Sequence, residues 1–318
     1  MKKKLYLSLL LGALAAGCTP YAAIRPLQTL DDMTYRHPVK KVRLPQSGYT
    51  IAYTDEGTGD KTIVFIHGLG SYLQAWNHNI DGLRADYRCI AIDLPGYGKS
   101  SKEPHSGQMS FYAGVVRELV TALQLQKVYI AGHSMGGQIA LTAALLYPEM
   151  VQGLILAAPA GFEYFHKGQR QWFRDVMPPD AVRQTGAEAI RSNLATNFYR
   201  LPADADFMIA DRIAMRSASD FAAYCYAVSQ SVKGMVDEPV LDYLQDIKAP
   251  TLIFFGEKDN LIPNRFLNPG PTVGIARAGA SKIAGSKLIM IPNCGHFLMF
   301  EKYDLFNREV KAFLDGQP

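Results

Sequence analysis

The feature that most restricts the fold is a succession of short, uninterrupted apolar runs separated by stretches with helical spacing. "TIVFIHG" (62–68), "YRCIAIDLPG" (87–96), "KVYIAGHS" (127–134) and "VQGLILAAPAG" (151–161) are rich in Val, Ile, Leu and Ala and show no regular polar alternation. "MSFYAGVVRELVTALQL" (109–125) and "MGGQIALTAALLYP" (135–148), lying between them, repeat apolar residues three and four apart. A strand with no polar face must be covered on both sides, and parallel strands joined by helices meet that need. The alternation therefore predicts a mostly parallel, doubly wound α/β sheet. Ahead of it, "KVRLPQSGYTIAYTDEGTG" reads as a hairpin of two short strands around a Pro/Ser/Gly turn.

The alternation stops after Gly161. Residues 162–246 carry mixed helical patterns, many aromatics and no convincing strand. Strand-like runs resume with "APTLIFFGEKD" (249–259) and "SKLIMIPNCGH" (286–296), and a helical stretch follows near Glu301 to Leu314. A helical insertion between two strands of one sheet is most simply a cap over the strands' C-terminal ends, where such sheets bind ligands. The expected organisation is a core of 39–161 and 247–318 with a cap of 162–246. The stretch "FLNPGPTVG" (266–274) reads as a loop edging the pocket.

The N-terminus is a separate piece. In "MKKKLYLSLLLGALAAGCTP", three lysines precede an apolar stretch, Leu5 to Ala16, which is followed by small residues and Cys18. The stretch is short for a membrane span and has the layout of a secretory signal. Its "AAGC" ending resembles a bacterial lipobox, which implies removal of residues 1–17 and a lipid on Cys18. The protein is then expected on the periplasmic side or the cell surface, in the outer membrane where one exists. Residues 18–38, with Pro20, Pro26 and Pro38, read as a tether. Loss of residues 1–17 removes three lysines from 33 basic side chains against 29 acidic, so the formal charge of +4 falls to +1. The basicity is thus an export feature, and no nucleic-acid partner is implied. Cys89, Cys225 and Cys294 show no paired or metal-ligand spacing and read as small buried hydrophobes. Neither a phosphate-cradling loop nor a zinc spacing is present, so no cofactor or metal is expected.

"YIAGHSMGGQIA" (129–140) sets Ser134 among Gly132, Gly136 and Gly137 where a strand should turn into a helix. Each glycine in a helix costs about 1 kcal/mol relative to alanine, so the cluster needs a backbone reason. The G-x-S-x-G elbow supplies one: the turn is so tight that side chains would clash, and it leaves a serine hydroxyl standing above the sheet. A serine hydroxyl needs a base, and the base needs a group that fixes its tautomer. Of seven histidines, only His296 falls in a loop after the final strand, in "PNCGHF". The preceding strand ends "FFGEKDNLIP", offering Asp259 as the orienting carboxylate and Glu257 as the alternative. Two backbone amides are then required for the oxyanion: Met135, which follows the serine, and Leu69 in "HGLGS" (67–71).

Taken together, "FIHGLG", "DLPGYGKS", "GHSMGG", "GEKDNLIP" and "CGHF" resemble the α/β-hydrolase superfamily, most closely its cap-bearing esterase and lipase-like members. The likeness covers about residues 42–314 apart from the cap. It implies the catalytic order Ser134, Asp259, His296 and an enzyme that cleaves small carboxylic esters through an acyl-enzyme. Carbon–carbon bond hydrolases of the superfamily share the serine triad but usually carry asparagine before the serine and tryptophan after the histidine, where this chain has His133 and Phe297. Cofactor-free haloperoxidases or perhydrolases are a further alternative, and a non-catalytic ligand-binding lipoprotein is the reading outside enzymes. The aromatic-rich cap and "FLMF" (297–300) favour a neutral apolar acyl or aryl group. Arg170, Arg174, Arg183 and Arg191 could clamp a substrate carboxylate, but their spread over helical stretches favours reading them as solvated faces.

Overall fold

Each apolar run becomes a strand of one sheet. The computed structural model describes Tyr21 and residues 23–317, so residues 1–20, including Cys18 and the signal-like stretch, lie outside the described residues. The hairpin forms β1 (Lys40–Arg43) and β2 (Thr50–Glu56), which pair antiparallel. The later runs form β3 (Thr62–Ile66), β4 (Arg88–Ile92), β5 (Val128–His133), β6 (Val151–Ala157), β7 (Thr251–Gly256) and β8 (Lys287–Ile291). The sheet order is β1-β2-β4-β3-β5-β6-β7-β8, with β2 antiparallel to β4 and every later pairing parallel. Every residue of β3, β5 and β7 is buried, as the absence of polar alternation requires.

The connecting helices are α1 (Asn77–Leu83), α2 (Met109–Ala122) and α3 (Met135–Leu146). The insertion holds α4 (Lys167–Val176), α5 (Pro179–Gln184), α6 (Ala187–Ala195), α7 (Asp206–Ala214) and α8 (Phe221–Asp237), and no strand lies between residues 162 and 246. The chain closes with α9 (Thr272–Ala280), α10 (Leu298–Glu301) and α11 (Tyr303–Asp315). Helix α3 packs on β5 and β6 beside α2, while α1 packs on α11. Fully buried Trp76 lies 5.1 Å from Phe65 and 6.1 Å from Phe306, which ties the α1 approach and α11 to the sheet.

Two local expectations are corrected. The expected tether is docked along much of its length: the Leu27 amide donates to Ser217 Oγ at 2.8 Å, the Leu30 amide to Asp220 Oδ1 at 3.0 Å, and Leu30 and Met33 are buried. Those two apolar side chains find the core, which proline content alone did not reveal. The expected loop at 266–274 ends in helix, since α9 begins at Thr272 behind Pro271. Cys89, Cys225 and Cys294 are free and buried. Among the described residues, no helix is long and apolar enough to cross a membrane.

Candidate active site

Ser134 stands between the end of β5 and the start of α3 with φ 54° and ψ −116°, a left-handed conformation rare for a side-chain-bearing residue. Hydrogen bonds hold it there. Its amide donates to Ala157 O at 3.0 Å, and its carbonyl accepts from Gly137 N at 2.9 Å and Ala160 N at 2.9 Å. The neighbouring glycines follow from the closeness of the chains. A Cβ on Gly132 would meet Gly136 O at 2.2 Å, and one on Gly136 would meet Ile66 O at 2.3 Å. Both obstacles are backbone, so neither position has room for alanine without moving a strand.

His296 lies in the loop after β8 and is almost wholly buried. Its Nδ1 is 2.7 Å from Asp259 Oδ2, and Asp259 Oδ1 accepts from the amides of Leu261 at 2.8 Å and Ile262 at 3.0 Å. A carboxylate pinned by two amides holds the ring in one orientation, with Nδ1 as the donor and Nε2 free to take a proton. Glu257, the alternative partner, is exposed and makes no bond to His296. The His296 loop is itself secured. The Gly295 amide donates to Glu301 Oε2 at 2.8 Å, and the Phe297 amide to Asn197 O at 2.9 Å, a contact from the insertion.

Ser134 and His296 open onto a cavity of about 480 Å³ whose wall includes Leu69, His133, Phe165, Phe173, Met177 and Phe297. No hydrogen bond joins the Ser134 hydroxyl to His296 Nε2 in this state; such contacts commonly tighten only when substrate is bound. The amides of Leu69 and Met135 find no acceptor among the described residues, so both remain available as donors. His133 sits under the site. Its ring centre is 4.7 Å from that of His296, its Nε2 is 3.1 Å from His296 O, and burial beside His296 depresses its basicity well below the ordinary range. It therefore stays neutral beside the His296 ring.

Two features escaped sequence reasoning. Glu163 lines the same cavity, accepting from the Asn264 amide at 2.8 Å and Asn268 Nδ2 at 3.1 Å, and burial raises its carboxyl above the ordinary range. Arg212, on α7, lines an adjoining cavity of about 390 Å³ that shares Leu69, Met177, Asn193, Asn197 and Phe297 with the first. Its guanidinium lies 4.4 Å over the Tyr224 ring, reaches Gly70 O at 3.4 Å, forms no ion pair among the described residues, and is pushed down by burial to about 10. By contrast Arg174 pairs with Asp237 and Arg183 with Asp180, as solvated residues do. No spacing in the sequence marks Arg212. Only its setting in the apolar "FMIADRIAM" (207–215) hinted at burial.

A doubly wound sheet with a strained serine at a strand end, below an inserted set of helices, defines the class: a hydrolase with its site at the C-terminal edge of a parallel sheet. The chain belongs to the alpha/beta hydrolase fold family, whose model matches residues 61–303, and it is an enzyme of that kind. It is 29% identical over 288 residues to a 2-hydroxy-6-oxononadienedioate/2-hydroxy-6-oxononatrienedioate hydrolase of Escherichia coli strain K12, covering 83% of this chain and 90% of that protein. A probable hydrolytic enzyme of Pseudomonas aeruginosa PAO1 superposes with a TM-score of 0.80 at 26% identity, over 91% of this chain and 98% of that one. A membrane phospholipase A described as a bacterial virulence factor superposes with a TM-score of 0.70 at 27% identity, over 88% and 86%.

Proposed function

We propose that this protein is a serine hydrolase that cleaves carboxylic esters of apolar acyl or aryl groups through an acyl-enzyme. The observation that carries this reading is the convergence, on one largely apolar cavity, of Ser134, the Asp259-bound His296 and Leu69, whose amide finds no acceptor among the described residues. Ser134 Oγ attacks the ester carbonyl while His296 Nε2 takes its proton, and Asp259 stabilises the imidazolium that forms. The negative charge moves to the former carbonyl oxygen, which the Leu69 and Met135 amides receive, each donor contributing about 3–4 kcal/mol. As the tetrahedral centre collapses, the C–O bond to the alcohol breaks and His296 returns the proton to it. Water then repeats the sequence on the acyl-serine and releases the acid. Likeness to a membrane phospholipase A supports an ester as the bond cleaved.

The test is a series of p-nitrophenyl esters from acetyl to hexanoyl. With each buried methylene contributing up to about 0.8 kcal/mol, kcat/KM should rise about fourfold per carbon until the cavity is full. Ser134→Ala should abolish turnover with little change in stability, because the backbone and not the side chain holds the elbow. Turnover by that variant, or a series that falls with chain length, overturns the reading.

One observation favours a second reading. Carbon–carbon cleavage of an acid-bearing diketone needs a cation for the substrate carboxylate, and Arg212 is half-buried, has no ion pair among the described residues and lines the adjoining cavity. The relative from Escherichia coli supports the same chemistry by its name. The residues flanking the site, His133 and Phe297, weigh the other way. Efficient cleavage of a vinylogous diketone acid with negligible turnover of every neutral ester would establish this second reading.

For location, the reading is an exported lipoprotein anchored by acylated Cys18. Added acyl mass on a mature N-terminus at Cys18, lost in Cys18→Ser, is the expected result; a different unmodified N-terminus overturns it.

A further inference from the structure

We propose that the face of the inserted helices formed by α4, Tyr164 and the turn at 264–268 docks on a bilayer containing anionic lipid. Helix α4 contains no buried residue, although it carries Trp172, Phe173 and Val176 along one side. Trp172 and Val176 are each 40% exposed, Tyr164 58% and Phe266 78%. With Leu261, these make up five of the eight exposed large hydrophobics among the described residues, so exposed apolar side chains concentrate in this one region. They are held on a common framework. Gln169 Nε2 donates to Leu267 O at 2.7 Å, Asn268 Nδ2 to Tyr164 O at 3.1 Å, and the Asn264 amide to Glu163.

Charge agrees with a lipid partner. Lys167, Arg170 and Arg265 lie on or beside this face and form no ion pair among the described residues, while Arg174 is neutralised by Asp237. Asp175, bonded by Gln171, is the one exposed carboxylate on α4. A helix with aromatic and aliphatic residues on one side and Lys/Arg on the other is suited to lie in the plane of a membrane interface. The apolar face also continues inward, because Phe165, Phe173 and Leu261 line the cavity that holds Ser134.

The path of the N-terminus agrees with placing the inserted helices near lipid. Leu27 and Gln28 bond to Ser217 and Ser219, just before α8, and α4 and α5 pack on α8. The chain preceding Leu27 therefore leaves from the inserted helices. Eight residues separate Leu27 from Cys18, a reach of about 30 Å at most over the nine steps between them. Any membrane attachment through the N-terminal segment thus keeps the inserted helices within about 30 Å of the lipid.

The chain has two tryptophans, and Trp76 is fully buried, so a lipid-dependent change in emission reports Trp172. The experiment places the full chain in phosphatidylcholine vesicles with and without phosphatidylglycerol, and then in vesicles whose acyl chains are brominated. With phosphatidylglycerol present, Trp172 emission should shift to the blue and be largely lost to bromine quenching. The quenchable signal should vanish in Trp172→Phe. Lys167→Gln with Arg265→Gln should weaken docking about 30-fold at low salt. Phe266→Ser should weaken docking while leaving the urea midpoint of the free protein unchanged. Emission that stays unshifted and unquenched while the chain remains vesicle-bound overturns the proposal. A blue shift that grows with protein concentration without quenching also overturns it, since a second copy of the chain then covers the face. The readout is fluorescence, so the outcome is independent of the chemistry proposed for Ser134.

Discussion

Replacing Arg212 by methionine should make the protein more stable and less able to use acid-bearing substrates, while sparing neutral esters. Burial lowers the guanidinium from an ordinary 12.5 to about 10. At about 1.4 kcal/mol per pH unit, keeping it charged at neutral pH costs on the order of 3 kcal/mol. The compensating contacts are a long bond to Gly70 O and the face of Tyr224, together worth about 1–2 kcal/mol. Methionine fills a similar volume without charge, so the net gain should be about 1–2 kcal/mol. The sign with pH follows from a base whose folded value is depressed. The unfolded chain holds the proton more tightly, so the cost is fully present below about pH 10 and fades only above it. Urea midpoints measured from about pH 5 to pH 9 should therefore rise by a constant amount in the variant. On a monoester of a dicarboxylic acid, kcat/KM should fall about 10- to 100-fold, the worth of a charged hydrogen bond, with little change on butyrate esters. A variant destabilised by more than about 1 kcal/mol, or one losing both substrates equally, would refute the argument that Arg212 is a strained, ligand-directed charge.

Three more outcomes follow from the site. Asp259→Asn should lower kcat by about four orders of magnitude on any good ester, since an amide favours the wrong histidine tautomer; a loss under tenfold would remove Asp259 from the proposed triad. Gly136→Ala should cost about 1–3 kcal/mol in urea and lower kcat as well, because its Cβ would meet Ile66 O at 2.3 Å, just ahead of the loop that holds Leu69; wild-type stability in that variant would show the elbow is looser than described. Glu163, raised from 4.5 by burial, contributes stability that is present below about pH 4.5 and lost as pH climbs through its folded value. Glu163→Gln should flatten that part of the stability–pH curve, and an unchanged slope would assign it to other groups.

The strands and the elbow were legible in the sequence because the physics behind them is local or periodic. A run such as "TIVFI" has no polar side to give to water, so it must be covered on both faces wherever it lies. Gly132 and Gly136 announce a turn with no space for Cβ, and the 2.2 and 2.3 Å approaches account for them. His296 could be selected because it follows the last apolar run. Asp259 could be preferred over Glu257 because it lies beyond the strand, in a loop stopped by Pro263, but the distance of 2.7 Å to Nδ1 and the two amides that pin the carboxylate are visible only in the tertiary structure. Leu30 and Met33 looked like part of a tether until their burial against the core was seen. Arg212 and Trp172 are the same problem in opposite directions. Helical spacing places each on a helix, yet whether a neighbouring element covers it is decided by packing between segments far apart in the chain. That packing half-buries a charge beside the site and leaves an indole 40% exposed.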